Sequence, residues 1–183
     1  MAVTGATSGI GLIGIQVAKA LGAMTVICTT RSQDRARLLR HAGADVVIVT
    51  WTQLVSQALL DATGGRGVDV VFDHVGGQIL ASCLPGIRDG GSVINIGRLG
   101  RGLIDLDALS YRHLILRGVL FGLEPPDQIG DVIAALTGDV ISAVPDGRTR
   151  PVIDAVFPFD QANDAIARVR GGSPDGKVVL AMS

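Results

Sequence analysis

Three glycines near the start of the chain have a spacing that suits phosphate binding. Gly9, Gly11 and Gly14 follow a short apolar run and open a segment with helical apolar spacing. A strand, a glycine turn and a helix together present the helix's N-terminal amides to a diphosphate. We expect Gly9 to allow the tight turn, Gly11 to let backbone approach the ligand, and Gly14 to let the helix press on the sheet. An ordinary strand-to-helix turn is the alternative interpretation, because glycine-rich turns are common.

A second polar cluster lies about 20 residues beyond the glycines, where an NAD site places a carboxylate that accepts the ribose hydroxyls. The chain instead has the hydroxyls of Thr29, Thr30 and Ser32 with the guanidiniums of Arg31 and Arg35. These groups suit a 2′-phosphate dianion, whereas a carboxylate about 4 Å away would cost several kcal/mol at an effective dielectric of about 20. We therefore predict NADPH as the cofactor. The alternative is that the two arginines form a solvated surface.

The elements that must position these residues follow from composition and periodicity. The chain has 183 residues, 48% hydrophobic, with 25 glycines and only 3% aromatics, a mixture typical of a parallel α/β sheet. Apolar strands and amphipathic helices alternate, which predicts a doubly wound parallel sheet with right-handed crossovers. The predicted strands cover residues 1–3, 24–29, 45–49, 68–73, 91–97 and 114–122. The predicted helices cover residues 12–22, 33–41, 52–62, 79–84 and 127–136.

Charge and cysteine usage exclude several classes of function. The net charge of −1 argues against a nucleic-acid binder, and no apolar run reaches the roughly 18 residues that span a bilayer. We expect no secretory leader, because the N-terminus lacks a charged region and enters the glycine turn at once. Cys28 and Cys83 lack metal-ligand spacing, so we expect buried free thiols, no metal site and a reducing, cytoplasmic location.

Several motifs occur in one order along nearly the whole chain, at residues 3–11, 16–23, 43–45, 63–73, 75–77, 116–119 and 176–180. In this they resemble the cofactor-binding half of the medium-chain dehydrogenase/reductase family, in its zinc-independent quinone-reductase branch. The resemblance implies a Rossmann domain over residues 1–147, with strand order 3-2-1-4-5-6. It also implies a strand–helix–strand arm over residues 148–183, with Asp160 capping its helix, which in the family completes an N-terminal substrate domain. Because the first strand begins at Met1, we expect a fragment, an excised domain or a truncated gene product.

The resemblance also implies which residues hold the nicotinamide. In the family these are largely backbone groups at the ends of the fourth to sixth strands, at positions that correspond here to 73–76, 96–98 and 120–122. A tyrosine common at the exit of the third strand is replaced by Thr50. No residue is assigned as catalytic. The predicted cofactor-binding set is Thr7, Ser8, Gly9, Ile10, Gly11, Thr29, Thr30, Arg31, Ser32, Arg35, His74, Val75, Gly76, Ile96, Gly97, Arg98, Leu120, Phe121 and Gly122.

The resemblance implies hydride transfer from NADPH to a small-molecule electron acceptor, a quinone or an activated enone or carbonyl. A quinone can take its proton from water, so no dedicated acid is required. The alternative is a nucleotide-binding module or regulatory subunit without turnover. The short-chain dehydrogenases share a similar glycine turn but need a lysine four positions after a tyrosine, and Tyr111 is followed there by Ile115. The apolar strand at 115–121 predicts a homodimer through a sheet edge.

Overall fold

The computed structural model describes residues 1–171 and 174–182, and for residues 137–139 the backbone alone. Residues 172, 173 and 183 of the predicted arm lie outside the described part. The strands are β1 Ala2–Thr4, β2 Ile27–Thr30, β3 Val46–Val49, β4 Val68–Asp73, β5 Ile87–Asn95, β6 Ile115–Gly118, β7 Ile153–Pro158 and β8 Lys177–Ala181. The α-helices are α1 Gly9–Ala20, α2 Ala36–His41, α3 Val55–Asp61, α4 Gly77–Cys83, α5 Leu106–Tyr111, α6 Pro126–Asp139 and α7 Ala162–Arg170. Short 3₁₀ turns cover Gln33–Arg35, Leu84–Gly86, Phe121–Leu123, Ile141–Ala143 and Phe159–Gln161.

Six strands form one parallel sheet in the order β3-β2-β1-β4-β5-β6, which confirms the predicted fold class and strand order. The chain starts at β1, builds outward to β3, and then crosses back to place β4 on the other side of β1. Val3 is paired with Cys28 on one side and with Phe72 on the other. The strand order therefore reverses between β1 and β4, and the carboxyl ends of these two strands meet at one edge of the sheet.

Two hydrophobic clusters cover the two faces of the sheet, because alternate strand residues point in opposite directions. Helices α1 and α2 pack on one face and helices α3 and α4 on the other. The first cluster contains Val3, Ala6, Leu12, Ile15, Ala18, Val26, Cys28, Leu39 and Ala44. The second contains Ala2, Ile27, Ile48, Val55, Leu59, Val68, Val71, Leu80, Cys83, Ile87 and Val93.

Several local features differ from the prediction. Strand β2 is Ile27–Thr30 where 24–29 is predicted, and β5 is Ile87–Asn95 where 91–97 is predicted. Helix α5 was not predicted, and it forms where Asp105 accepts from the amides of Asp107 and Ala108. Strand β6 ends at Gly118 and does not continue to Gly122. Asp160 was predicted as an N-cap, but it lies inside a 3₁₀ turn without a side-chain cap. Ser32 caps the 3₁₀ turn at Gln33–Arg35, because its hydroxyl accepts from the amide of Asp34 at 3.3 Å.

The predicted strand–helix–strand arm is formed by β7, α7 and β8, whose two strands pair in parallel. The side chain of Gln16 on α1 connects this arm to the main domain through two hydrogen bonds. Its amide nitrogen donates to Arg150 O at 3.0 Å, and its oxygen accepts from Arg150 N at 2.9 Å. Within the described ranges, no helix has both the length and the apolar character needed to cross a membrane.

Candidate functional site

The turn between β1 and α1 depends on Gly5. This residue has a φ of +56°, and the amide of Ser8 donates to its carbonyl at 3.0 Å. A Cβ at Gly5 would stand 2.9 Å from Cγ2 of Val75. The left-handed conformation and the close contact both require glycine here. The tight-turn role expected of Gly9 therefore belongs to Gly5.

Gly11 and Gly14 also differ from their expected roles. A Cβ at Gly11 would stand 2.6 Å from Gly5 O and 2.7 Å from Ala6 Cα, so Gly11 lets the helix pack against the turn's own backbone. A Cβ at Gly14 would meet only Cε1 of His74, at 3.6 Å, which is an ordinary van der Waals distance. The close approach expected at Gly14 is therefore made at Gly11, one turn earlier.

The start of α1 has two unpaired amides. Ser8 is the N-cap, and its hydroxyl accepts from Gly11 N at 3.0 Å. The amide of Leu12 donates to Ser8 O at 2.9 Å. Among the described residues, none accepts a hydrogen bond from the amides of Gly9 and Ile10. Unpaired helix N-terminal amides attract an anion.

A cleft of about 640 Å³ opens at the carboxyl edge of the sheet, over this turn. A recess of about 290 Å³ adjoins it at the end of β2. Within the described residues, no aspartate or glutamate lines either space. Of the predicted cofactor residues, the two spaces bring together Thr7, Ser8, Gly9, Thr29, Thr30, Arg31, Ser32, Arg35, His74 and Val75. The remaining predicted residues, Ile10, Gly11, Gly76, Ile96, Gly97, Arg98, Leu120, Phe121 and Gly122, do not line them.

The two arginines at the recess have different surroundings. Arg31 is exposed, and in residues 1–171 and 174–182 its guanidinium has no ion-pair partner. Arg35 forms an ion pair with Asp175, with Nη1 and Oδ1 2.8 Å apart, and donates to Pro174 O at 3.4 Å. Both arginines line the recess, but the charge of Arg35 is matched by Asp175, whereas Arg31 has no such partner among the described residues.

Sequence reasoning missed several residues that line the cleft. Trp51 is 76% exposed and borders both spaces. It follows the end of β3 by two residues, so the rule that strand ends share one edge could have found it. Leu99, Pro174 and Gly176 also line the cleft, and the last two come from the arm.

A buried carboxylate holds the loop after β4. Asp73 is fully buried, and its Oδ1 accepts from Thr4 Oγ1 at 2.5 Å, Gly76 N at 3.1 Å and Val75 N at 3.3 Å. Its Oδ2 accepts from Asn95 Nδ2 at 2.7 Å. These bonds connect β1, β4 and β5 at the strand ends. They fix the backbone of residues 74–76, where we expect the nicotinamide to bind.

The residues after β5 pack against the loop that follows β4. The amides of Ile96 and Gly97 donate to Asp73 O at 2.8 and 2.9 Å. A Cβ at Gly97 would collide with the carbonyl carbon of His74, at 2.2 Å, so only glycine allows this approach. Farther along the sheet, Phe121 lies in a 3₁₀ turn and is 52% exposed.

His74 is held by Thr4. Its amide donates to Thr4 Oγ1, and its Nδ1 is 3.1 Å from Thr4 O. A carbonyl oxygen only accepts, so this contact places the proton on Nδ1 and leaves Nε2 as an acceptor. Burial lowers the pKa of His74, and the hydrogen bond to Thr4 and the charge of Asp73 oppose this effect only in part. The ring is therefore neutral at neutral pH.

The two cysteines do not form a metal site. Cys28 and Cys83 belong to the clusters on opposite faces of the sheet, and burial raises the pKa of each thiol to about 12. In the part of the chain that the structure describes, no group of three or more His, Cys, Asp or Glu side chains could hold a metal ion. The donors among the described residues therefore do not fit a zinc ion.

The comparisons with known proteins agree with this geometry. The family model described as "Zinc-binding dehydrogenase" matches residues 9–138. The chain belongs to the medium-chain dehydrogenase/reductase family, within its cofactor-binding domain. The zinc in the name of the family model has no counterpart among the described residues of this member.

Relatives in the family include both dehydrogenases and quinone reductase-like proteins. The chain is 28% identical to an NAD-dependent alcohol dehydrogenase of Sulfolobus acidocaldarius, over 97% of this chain and 49% of that protein. It is 27% identical to quinone oxidoreductase-like protein 2 of Bos taurus, over 98% of this chain and 52% of that protein. The structure of mycobacterial Rv1454c complexed with NADPH superposes with a TM-score of 0.80 at 25% identity, covering 98% of this chain and 56% of that one. The chain thus spans about half the length of the curated relatives it matches.

Proposed function

We propose that this chain is the NADPH-binding domain of a zinc-independent oxidoreductase that transfers a hydride to a quinone or an activated enone or carbonyl. The observation that carries the proposal is the cleft at the switch between β1 and β4. Gly9, whose amide has no acceptor among the described residues, lines this cleft, and Arg31 lines it at the end of β2, where we place the adenosine. Parallel α/β sheets bind dinucleotides at this position.

The preference for NADPH over NADH is supported by the charge of the recess. A 2′-phosphate needs a cation and hydroxyl donors, and Arg31 lies there beside Thr30 and Ser32. An NADH site would instead use a carboxylate toward the ribose, and none lines the recess in the described part of the chain. Trp51 offers an exposed aromatic face at the same end, on which the adenine can stack.

The reactive end of the cofactor is assigned to the loop at 74–76. Bound NADPH supplies the hydride. The chain's own contribution is to orient the ring, which the fixed loop achieves through Asp73, while Ile79 and Leu99 present apolar surface that excludes water. Neutral His74 keeps an acceptor nitrogen close to this loop.

A nucleotide-binding module without turnover is the second candidate, and the coverage of about half of each relative favours it for this chain taken alone. Titration of NADPH and NADH into the purified chain, followed by addition of a 1,4-quinone, separates the candidates. Loss of the NADPH absorbance on adding quinone supports the enzyme. Tight binding without oxidation supports the module. Failure to bind either dinucleotide refutes both.

We also propose a homodimer through the edge strand, as the sequence predicts. Strand β6 pairs with β5 on one side only, and Ile115 and Leu116 are 56% and 39% exposed. Light scattering on the purified chain should give twice the monomer mass, and Leu116→Glu should give the monomer mass. A monomeric wild type would refute this assignment. The cytoplasmic location remains a prediction, supported by the two free cysteines.

A further inference from the structure

The side chain of Lys177 lies across the start of α1. A Cβ added at Gly9 would stand 2.7 Å from Cδ and Cε of Lys177 and 3.1 Å from its Cγ. Gly9 therefore leaves the space that the lysine stem occupies. The backbone of this segment is fixed, because Lys177 N donates to Val152 O at 2.8 Å. The preceding residue, Gly176, lines the cleft.

Lys177 is exposed, and because its Cε lies beside Gly9, its ammonium group is near the start of α1. Across the described parts of the chain, it makes no hydrogen bond and no ion pair. A cation at a helix N-terminus is repelled by the positive end of the helix dipole. The amides of Gly9 and Ile10, which have no acceptor among the described residues, belong to the same helix start. One phosphate group would reverse the repulsion and accept from all three donors.

Ion pairs hold this segment against the cleft. Asp175 pairs with Arg35 at 2.8 Å, and its amide donates to Asp154 Oδ1 at 2.9 Å. Asp154 in turn pairs with Arg168 on α7 at 2.7 Å. The hydrogen bond from Arg168 holds the pKa of Asp154 below its usual range, so this carboxylate is charged at neutral pH. Arg35 is thus a positioning residue, which anchors the segment that carries Lys177.

We propose that Lys177 binds the diphosphate of the dinucleotide, so that the C-terminal strand completes the cofactor site that α1 begins. This inference rests on the proposed function, since it requires a dinucleotide in the cleft. The diphosphate is common to NADPH and NADH. The role of Lys177 is therefore distinct from that of Arg31, which faces the additional phosphate of NADPH.

Calorimetric titration of the Lys177→Met variant tests this assignment. We expect NADPH and NADH to bind about 10- to 100-fold more weakly, both by the same factor, as when one charge-assisted hydrogen bond is lost. Lys19→Met is the matched control, because Lys19 lies at the other end of α1 and pairs with Asp45 at 2.6 Å. Wild-type affinity in Lys177→Met overturns the proposal, and so does a loss confined to NADPH. Absence of dinucleotide binding in the wild type refutes the proposed function instead.

A second measurement does not depend on whether the variant folds. Lys19 and Lys177 are the two lysines of the sequence, so reductive methylation followed by peptide mass spectrometry compares them within one sample. We expect saturating NADH to slow methylation of Lys177 about tenfold and to leave Lys19 unchanged. Equal rates with and without bound NADH overturn the proposal.

The Lys177→Arg variant should retain most of the affinity for both dinucleotides, because it keeps the positive charge. A loss of affinity as large as that of Lys177→Met contradicts the electrostatic role.

Discussion

Two glycines of the motif at the start of α1 should respond in opposite directions to the same substitution. In Gly11→Ala, the new methyl group would stand 2.6 Å from Gly5 O, and backbone cannot rotate away as a side chain can. We expect about 2–3 kcal/mol of overpacking, from which the better helix propensity of alanine subtracts about 1 kcal/mol. In Gly14→Ala the nearest atom is His74 Cε1, at 3.6 Å, so only the propensity gain of up to about 1 kcal/mol remains.

Urea denaturation followed by circular dichroism measures both changes. Gly11→Ala should lose about 1–2 kcal/mol of unfolding free energy. Gly14→Ala should gain up to about 1 kcal/mol, which raises the melting temperature by about 2–4 °C in a chain of this size. Gly14→Ala should also retain dinucleotide binding, because its methyl group points at His74 and not into the diphosphate turn. Equal destabilisation by the two substitutions would refute the reasoning, since it would mean that both glycines are required for packing.

Substitutions at both ends of the cleft give separable outcomes. Arg31→Glu should weaken the binding of NADPH about tenfold or more, through repulsion of the 2′-phosphate, and change the affinity for NADH less than about twofold. Equal losses of affinity for both dinucleotides in titration would contradict the phosphate assignment. Asp73→Asn presents a donor to groups that already donate, and should cost about 2–4 kcal/mol in urea denaturation, whereas a loss below about 1 kcal/mol would contradict the network. Burial lowers the pKa of folded His74 below the unfolded value of about 6.5, so as the pH falls below 6.5 the unfolded state takes up the proton first and stability declines. His74→Gln should remove the contribution of His74 to the fall in unfolding free energy between pH 7.5 and 5.5, measured by urea denaturation. An unchanged pH dependence in this variant would contradict the lowered pKa of His74.

The sheet could be predicted from sequence because its signals are local. Runs such as Val68–Asp73 are rich in apolar, β-branched residues, and each of the first four strands is followed within about six residues by a helical segment. Helix α5 escaped prediction because it is only six residues long and depends on a single capping carboxylate, Asp105. The end of β6 was also misjudged. Its apolar run continues to Phe121, but pairing with β5 stops where Asn95 meets Gly118.

The residues of the cleft could be predicted only where they follow the ends of parallel strands. Thr29, Arg31 and His74 come together because parallel strands end at the same edge of the sheet, and periodicity identifies those ends. The roles of the glycines were not predictable, because spacing alone does not tell which α-carbon faces backbone. Gly5, Gly9 and Gly11 each leave room for a different partner, namely Val75, Lys177 and the turn itself.

Arg35 shows why charge near a predicted phosphate site is ambiguous in a sequence. The residues next to an arginine in the sequence do not show whether its guanidinium binds a ligand or pairs with an aspartate. Here the deciding partners are Asp175 and Pro174, the latter 139 positions away, and they reach Arg35 only because the arm returns to the edge of the sheet. The same return brings Lys177 over Gly9. The arm therefore neutralises Arg35 and brings a second cation, Lys177, to the start of α1, so that the charges near the cleft depend on a segment that is distant in the sequence.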